Sequence, residues 1–277
     1  MKSVILLGLV AMVLLFGCVN MTNNQQQYLC SDGSTIVSDL NNCPKVDLAL
    51  KECQDASSSS DYYGESDRDI CYYDLALTRN NITYCKMIHN SDSYSDYTAA
   101  RCGVELALYN DDMGLCNNLS VLSRYDCFSH LSTELEDPSI CQNIKSTPKM
   151  DDCLYDYIYY NAYYISDWSV CGMFSGKSSD SDYCYYEAAS QTGELSYCDE
   201  LSGDDYYYGY SKAGCYAAVA KNKKSPSTCD KLTTTEEKDD CYYEYATGYP
   251  YVVDVCNNIS DDYLKDDCID WANYSYY

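Results

Sequence analysis

Basic residues are scarce in this 277-residue chain: 18 Lys and Arg stand against 43 Asp and Glu, a net charge of −25. A chain so acidic, with no basic run, lacks the footprint that nucleic-acid binding requires. Anionic membrane surfaces repel it as well. Histidine is nearly absent, with only His89 and His130, which leaves little material for imidazole catalysis or metal ligation. There are 3 Phe and 2 Trp, and Leu, Ile, Val and Phe together supply 40 of the 260 residues from Cys18 onward, about 15%. Below roughly 20%, with high net charge, disorder is the default expectation. No glycine-rich phosphate loop, His-Glu-x-x-His, Gly-x-Ser-x-Gly, EF-hand loop or Cys-x-x-Cys occurs. The sequence therefore points to no enzyme, no cofactor, no metal site and no catalytic residue.

What is present in excess is cysteine, 19 residues, and tyrosine, 34. Tyrosine brings aromatic area that can be buried in place of aliphatic side chains. Cysteine brings covalent staples, the usual recourse of exported domains with thin cores.

The N-terminus addresses the compartment. Lys2 precedes a thirteen-residue apolar run, Val4 to Phe16, followed by Gly17-Cys18. This is the layout of a secretory signal over residues 1–17. Leu15-Phe16-Gly17-Cys18 resembles the lipobox of prokaryotic lipoproteins, which implies that the Cys18 thiol is alkylated with a diacylglycerol-type lipid and becomes the mature N-terminus. An uncleaved anchor is the alternative, although about 17 residues is the short limit for spanning a bilayer. Either reading puts the remainder at the cell surface, on the extracytoplasmic side of the membrane. Residues 18–29 are expected to form a polar tether. Residues 30–45, with Cys30 and Cys43 around Ser31-Asp32-Gly33-Ser34, suggest a disulfide-closed turn and strand.

From residue 46 to 277 the cysteines count out a repeat. Cys71, Cys102, Cys127, Cys184 and Cys215 are each followed by the next cysteine after 14 residues; from Cys241 the interval is 15 and from Cys153 it is 18. The complementary intervals range from 11 to 18, so one half of the unit is nearly fixed and the other is a loop that tolerates insertion. Eight copies begin at Cys53, Cys85, Cys116, Cys141, Cys171, Cys198, Cys229 and Cys256. An apolar residue three after the leading cysteine (Ile88, Leu119, Ile144, Phe174, Leu201, Leu232, Ile259, with Ala56 the exception) predicts a first helix. Asp137-Pro138 and Ser225-Pro226 set its start about four residues before the cysteine. Cys-Tyr-Tyr-acid-x-Ala, seen at Cys71, Cys184 and Cys241, predicts a second helix beginning at the trailing cysteine, with offsets 0, +1, +4 and +5 on one face. Asp69, Asp126, Asp151-Asp152, Asp239-Asp240 and Asp266-Asp267 fall before that helix, where its dipole favours negative charge. Tyrosines at offset +2 (Tyr73, Tyr155, Tyr186, Tyr243) are expected to point away from the cysteine face. Tyr159-Tyr160 and Tyr206 to Tyr208 are expected to be partly exposed.

The expected architecture is all-α: disulfide-stapled helical hairpins stacked as an α-solenoid. On the recurring Cys-Tyr-Tyr-acid-x-Ala and Pro-Ser-x-Cys-x-x-Ile forms, residues 53–277 resemble a loose group of cysteine-rich, tyrosine-rich tandem-repeat lipoproteins of archaeal type. That resemblance bears on architecture and not on activity. Pairing each leading cysteine with its own trailing cysteine gives Cys53–Cys71, Cys85–Cys102, Cys116–Cys127, Cys141–Cys153, Cys171–Cys184, Cys198–Cys215, Cys229–Cys241 and Cys256–Cys268, with Cys30–Cys43 completing the set. The other neighbour pairing, Cys71–Cys85 onward, strands Cys53 and Cys268 and is disfavoured. Asn20, Asn81, Asn118, Asn258 and Asn273 head Asn-x-Ser/Thr sequons, acceptors for glycosylation in an exported chain. The functional expectation is a surface scaffold or binding module facing another surface protein or cations. A cell-envelope hydrolase using acidic residues, or a purely structural spacer, stands as the alternative.

Overall fold

The computed structural model describes residues 18–20, 28–30, 36–37, 47–58, 66–89, 97–202 and 210–274. Three short strands, β1 (Cys18–Asn20), β2 (Tyr28–Cys30) and β3 (Ile36–Val37), form an antiparallel sheet in that order, with Cys18 opposite Cys30 and Tyr28 opposite Val37. The two ends of the stretch expected as a tether are thus hydrogen-bonded strands. The side chains of Cys18 and Cys30, and all of Cys43, lie outside the described residues. Everything else described is helical or connecting, so the all-α, disulfide-stapled repeat expected from the cysteine spacing is the observed fold. Two compact units divide the chain, residues 1–102 and 103–277.

The α-helices are α1 (Leu48–Asp55), α2 (Asp67–Arg79), α3 (Ile82–Cys85), α4 (Ala99–Asn110), α5 (Val121–Glu134), α6 (Thr147–Asn161), α7 (Ser179–Thr192), α8 (Lys212–Asn222), α9 (Thr235–Thr247) and α10 (Asp262–Tyr274). Each copy pairs a short leading element with a longer helix. In the six copies from Cys116 onward the leading element is a 3₁₀ helix of five or six residues, such as Pro138–Asn143, instead of the α-helix expected. A spacing of three matches the three-residue turn of that helix. The apolar residue therefore stands just past its end, extended, with its N–H returned to the cysteine carbonyl: Leu119 to Cys116 and Leu232 to Cys229 at 3.1 Å, Ile144 to Cys141 at 3.0 Å. These residues are buried as expected; Phe174 is half-buried.

The longer helices start three to six residues before the trailing cysteine, not at it, because serine and threonine caps sit further upstream. Ser66, Ser120, Ser211 and Thr234 each accept an N–H of the first turn. The eight bridges join each leading cysteine to its own trailing cysteine, with Cα–Cα distances of 5.3 to 5.8 Å. Each staples two helical elements across the variable loop, and the chain-entropy account assigns about 3 kcal/mol to a loop of this length. The face expected at offsets +1, +4 and +5 is buried: Tyr72, Leu75 and Ala76 in α2, Phe128 and Leu131 in α5, Tyr242, Tyr245 and Ala246 in α9.

The fixed interval of 14 has a backbone cause. In each of the five copies that keep it, the residue nine after the trailing cysteine is left-handed: Asn80, Asp111, Glu136, Gly193 and Lys224, with φ between 48° and 74°. In four of them the next N–H returns to the carbonyl five after the cysteine, as in Asn81 to Ala76 (2.9 Å) and Asp137 to Ser132 (3.0 Å), a Schellman closure. In three of the four the same residue then caps the following element: Asn81 Oδ1 accepts from Thr83, Asp112 Oδ1 from Gly114 and Asp137 Oδ1 from Ser139. One turn both ends a helix and begins the next, which admits no insertion. Where the interval is 15, Val252 supplies the N–H to Ala246 one residue later. Where it is 18, Tyr164 and Ile165 close instead on Asn161.

Successive copies are tied by a recurring carboxylate. The aspartate two before a trailing cysteine accepts the backbone N–H of the residue four after the next leading cysteine: Asp69 from His89, Asp151 from Ser175, Asp182 from Ser202 and Asp239 from Ser260, at 2.9 to 3.1 Å. Asp69, Asp182 and Asp239 are buried. Asp69 and Asp182 lie in the first turns of their helices and Asp151 and Asp239 beyond them, and the carboxylates are spent on the following copy, which corrects the helix-dipole account for Asp69, Asp151 and Asp239. Asp266 stands at the same position in the last copy and is exposed.

Candidate functional site

Within residues 103–277, tyrosines line up across three copies. Tyr155 on α6 meets Tyr183 on α7 with ring centroids 5.1 Å apart, and Tyr183 meets Tyr210 at 5.4 Å. Tyr186 also meets Tyr210, at 5.4 Å. Toward the end of α6 the line continues from Tyr155 to Tyr159, stacked at 6.1 Å, and to Tyr160, edge-on at 5.2 Å. Tyr159 and Tyr160 are 58% and 65% exposed, as expected of them, while Tyr155, Tyr183 and Tyr186 are half-buried. Tyr73, also at offset +2, is buried edge-on against Tyr97 at 5.2 Å. Tyr206 to Tyr208 lie outside the described residues.

Beside this strip, α5, α6 and the start of α7 bound a cleft of about 290 Å³. Asp126, Asp152, Asp156 and Asp180 line it together with Lys149 and Tyr155. Helical spacing explains the convergence: Asp126 and Ser129 are three apart on α5, Asp152 and Asp156 four apart on α6. Burial pushes the Asp126 carboxyl above the ordinary range, and Asp156 nearby adds to it while His130 and Lys149 oppose. Asp156 is likewise raised, first by burial, against the hydroxyl of Ser129 that donates to it at 2.8 Å. Burial raises Asp180 too, helped by Asp152 and Asp151. Lys149 donates to Asp152 at 2.7 Å, an exposed pair of small energetic weight. Along the strip, burial and the neighbouring Glu187 lift Tyr183 well above the usual phenol range and Tyr186 up to about 12.

A second cleft, about 260 Å³, lies between α7, α8 and α9 around Tyr186, Lys221 and Glu244, with Lys221 lowered by burial. A third, about 310 Å³, is bounded by Tyr157, Asn161 and Tyr164. The first is the stronger candidate because three carboxyls of raised pKa converge there next to aromatic rings. Rings and carboxylates side by side can hold a cation: the ring faces attract it and the carboxylates neutralise it. Among the described residues, no group of three or more His, Cys, Asp or Glu is placed to hold a metal ion. None of their helices is long and apolar enough to cross a membrane.

Among the described residues, sixteen of the cysteines marked from sequence meet in bridges, and all but Cys71 are buried. Asn118 and Asn258 occupy the same position, two after a leading cysteine, and are exposed; Asn81 and Asn273 are exposed as well, and only the backbone of Asn20 is described. Sequence reasoning missed Asp156, Asp180 and Asp182. Asp182 had a signal, since it precedes Cys184 by two as Asp69 precedes Cys71. Asp156 and Asp180 had none, because the cleft joins residues from successive copies. No protein-family model, curated protein or solved structure matches this chain.

Proposed function

We propose that the chain is a lipid-anchored, extracytoplasmic repeat protein that serves as a surface scaffold or binding module for a cationic protein or ligand. The observation that carries this reading is that Tyr155 belongs at once to the tyrosine strip and to the wall of the carboxylate cleft. Strip and cleft together offer ring faces next to negative charge on a chain of net charge −25, a surface suited to arginine or lysine side chains. Eight bridges are compatible with an oxidising compartment, and the Leu15-Phe16-Gly17-Cys18 motif supports the anchor.

The test is calorimetric titration of the purified full chain with an arginine-rich peptide and with its glutamate-substituted counterpart. The arginine peptide binds, more weakly as salt rises, and Tyr155→Ala with Asp156→Asn lowers its affinity about tenfold while the far-ultraviolet spectrum is unchanged. Equal binding of both peptides, or an unaffected double variant, overturns the reading. Hydrolysis is the second reading, favoured by the burial that raises Asp126 and Asp156. Turnover of an envelope polymer abolished by Asp156→Asn supports that one instead.

A further inference from the structure

The eighth copy departs from the other seven at the positions that elsewhere meet a neighbouring copy. Five residues after the trailing cysteine stands alanine in five copies, Ser132 and Ile158 in two others, all at most 2% exposed. In the eighth copy that residue is Asn273, and it is exposed on α10. Two after the trailing cysteine, Tyr155, Tyr186 and Tyr243 touch the next copy, through Tyr183, Tyr210 and the carboxylate of Asp267. Asp270 stands there in the eighth copy, exposed, and Asp266 takes the carboxylate-tie position, also exposed. A face that carries small buried residues and half-buried tyrosines in the earlier copies has become polar and open.

Asn273 also heads Asn273-Tyr274-Ser275. Three other sequons are tied into local structure. Asn81 uses its own Oδ1 to cap Thr83, the Ser120 hydroxyl after Asn118 caps Ser123, and the Ser260 N–H after Asn258 is held by Asp239. A bulky, water-loving substituent is compatible with the position of Asn273 in the eighth copy and with none of its seven equivalents.

We propose that Asn273 is an N-glycan acceptor whose sugar covers the outer face of the eighth copy. The inference rests on the reading that the chain is exported. The Asn273 Nδ2 displaces the pyrophosphate of a lipid-linked oligosaccharide: the bond from nitrogen to the anomeric carbon forms, the bond from that carbon to the pyrophosphate oxygen breaks, and the amide proton leaves with the released lipid pyrophosphate. The sugar, with Asp266 and Asp270, makes the face unfit for packing against a further helix pair.

The test is mass spectrometry of peptides from the protein purified from its own membrane and digested without reduction, alongside an Asn273→Gln variant. The peptide bearing Asn273 is expected to carry an oligosaccharide mass, and the variant to lose that mass while keeping its bridges. An unmodified Asn273 peptide in a digest that contains the bridged pairs overturns the glycan and leaves export standing. An unmodified peptide together with free thiols overturns both.

Discussion

Asp182 of the fifth copy accepts the backbone N–H of Ser202, in the sixth, at 2.9 Å, and the Ser202 hydroxyl donates to its other oxygen. The carboxylate is wholly buried, twenty residues away in sequence from the serine it holds. Two donors meet it there, and losing it leaves the Ser202 N–H without its acceptor.

Asp182→Ala is therefore expected to cost about 1–3 kcal/mol, read as a lower urea midpoint. Ser202→Ala, which keeps the N–H, costs less. If the two variants unfold together with the unaltered protein, the carboxylate is not a tie between copies.

The left-handed residues make a second prediction. A side chain in that region costs about 1–2 kcal/mol, against about 0.5–1 kcal/mol of extra unfolded-state entropy for glycine. Glu136→Gly and Lys224→Gly should each stabilise by about 0.5–1 kcal/mol, and Asn80→Gly by less, asparagine tolerating the conformation better. Gly193→Ala goes the other way, since a Cβ there meets Asn222 Oδ1 at 2.8 Å with φ at 74°. Thermal melts of the four variants check the order.

Packing between copies can be tested by overfilling it. Ala220, on α8, is completely buried in a cluster with Ala246, Tyr242 and Val219. Ala220→Leu should destabilise by about 1–3 kcal/mol, whereas the same change at exposed Lys223 leaves the melt within about 0.5 kcal/mol.

The cleft predicts a pH dependence. Burial raises Asp126 and Asp156 above their ordinary value of 3.8, so the folded chain holds those protons to higher pH than the unfolded chain does. Their ionisation therefore subtracts stability as pH rises from the ordinary value through the folded one. Asp156→Asn removes that loss: its advantage over the unaltered protein should grow as pH rises above the ordinary carboxylate value and fade in stronger acid. An advantage independent of pH contradicts the burial account.

Much of this molecule is legible in its cysteines. Their even count after Cys18 and alternating spacing give eight hairpins and the pairing of Cys53 with Cys71 through Cys256 with Cys268. Their fixed interval does not announce its cause, because Glu136 and Lys224 are ordinary residues forced left-handed by the closure around them; Gly193, Asn80 and Asp111 suit the turn by chemistry. The 3₁₀ form of the leading elements was hidden for a related reason, since a spacing of three fits both helices and only the short length decides. The carboxylate ties and the cleft join residues of different copies, and reading one copy at a time keeps them apart.

The central claim is that eight bridges, each closed within its own copy, supply the stability that a chain with so few aliphatic residues lacks. Circular dichroism melts of the oxidised and the fully reduced, thiol-blocked protein test it most directly. The oxidised chain should melt cooperatively and the reduced chain should lose most of its helical signal near room temperature. A reduced chain that keeps the same spectrum and melting temperature contradicts the account.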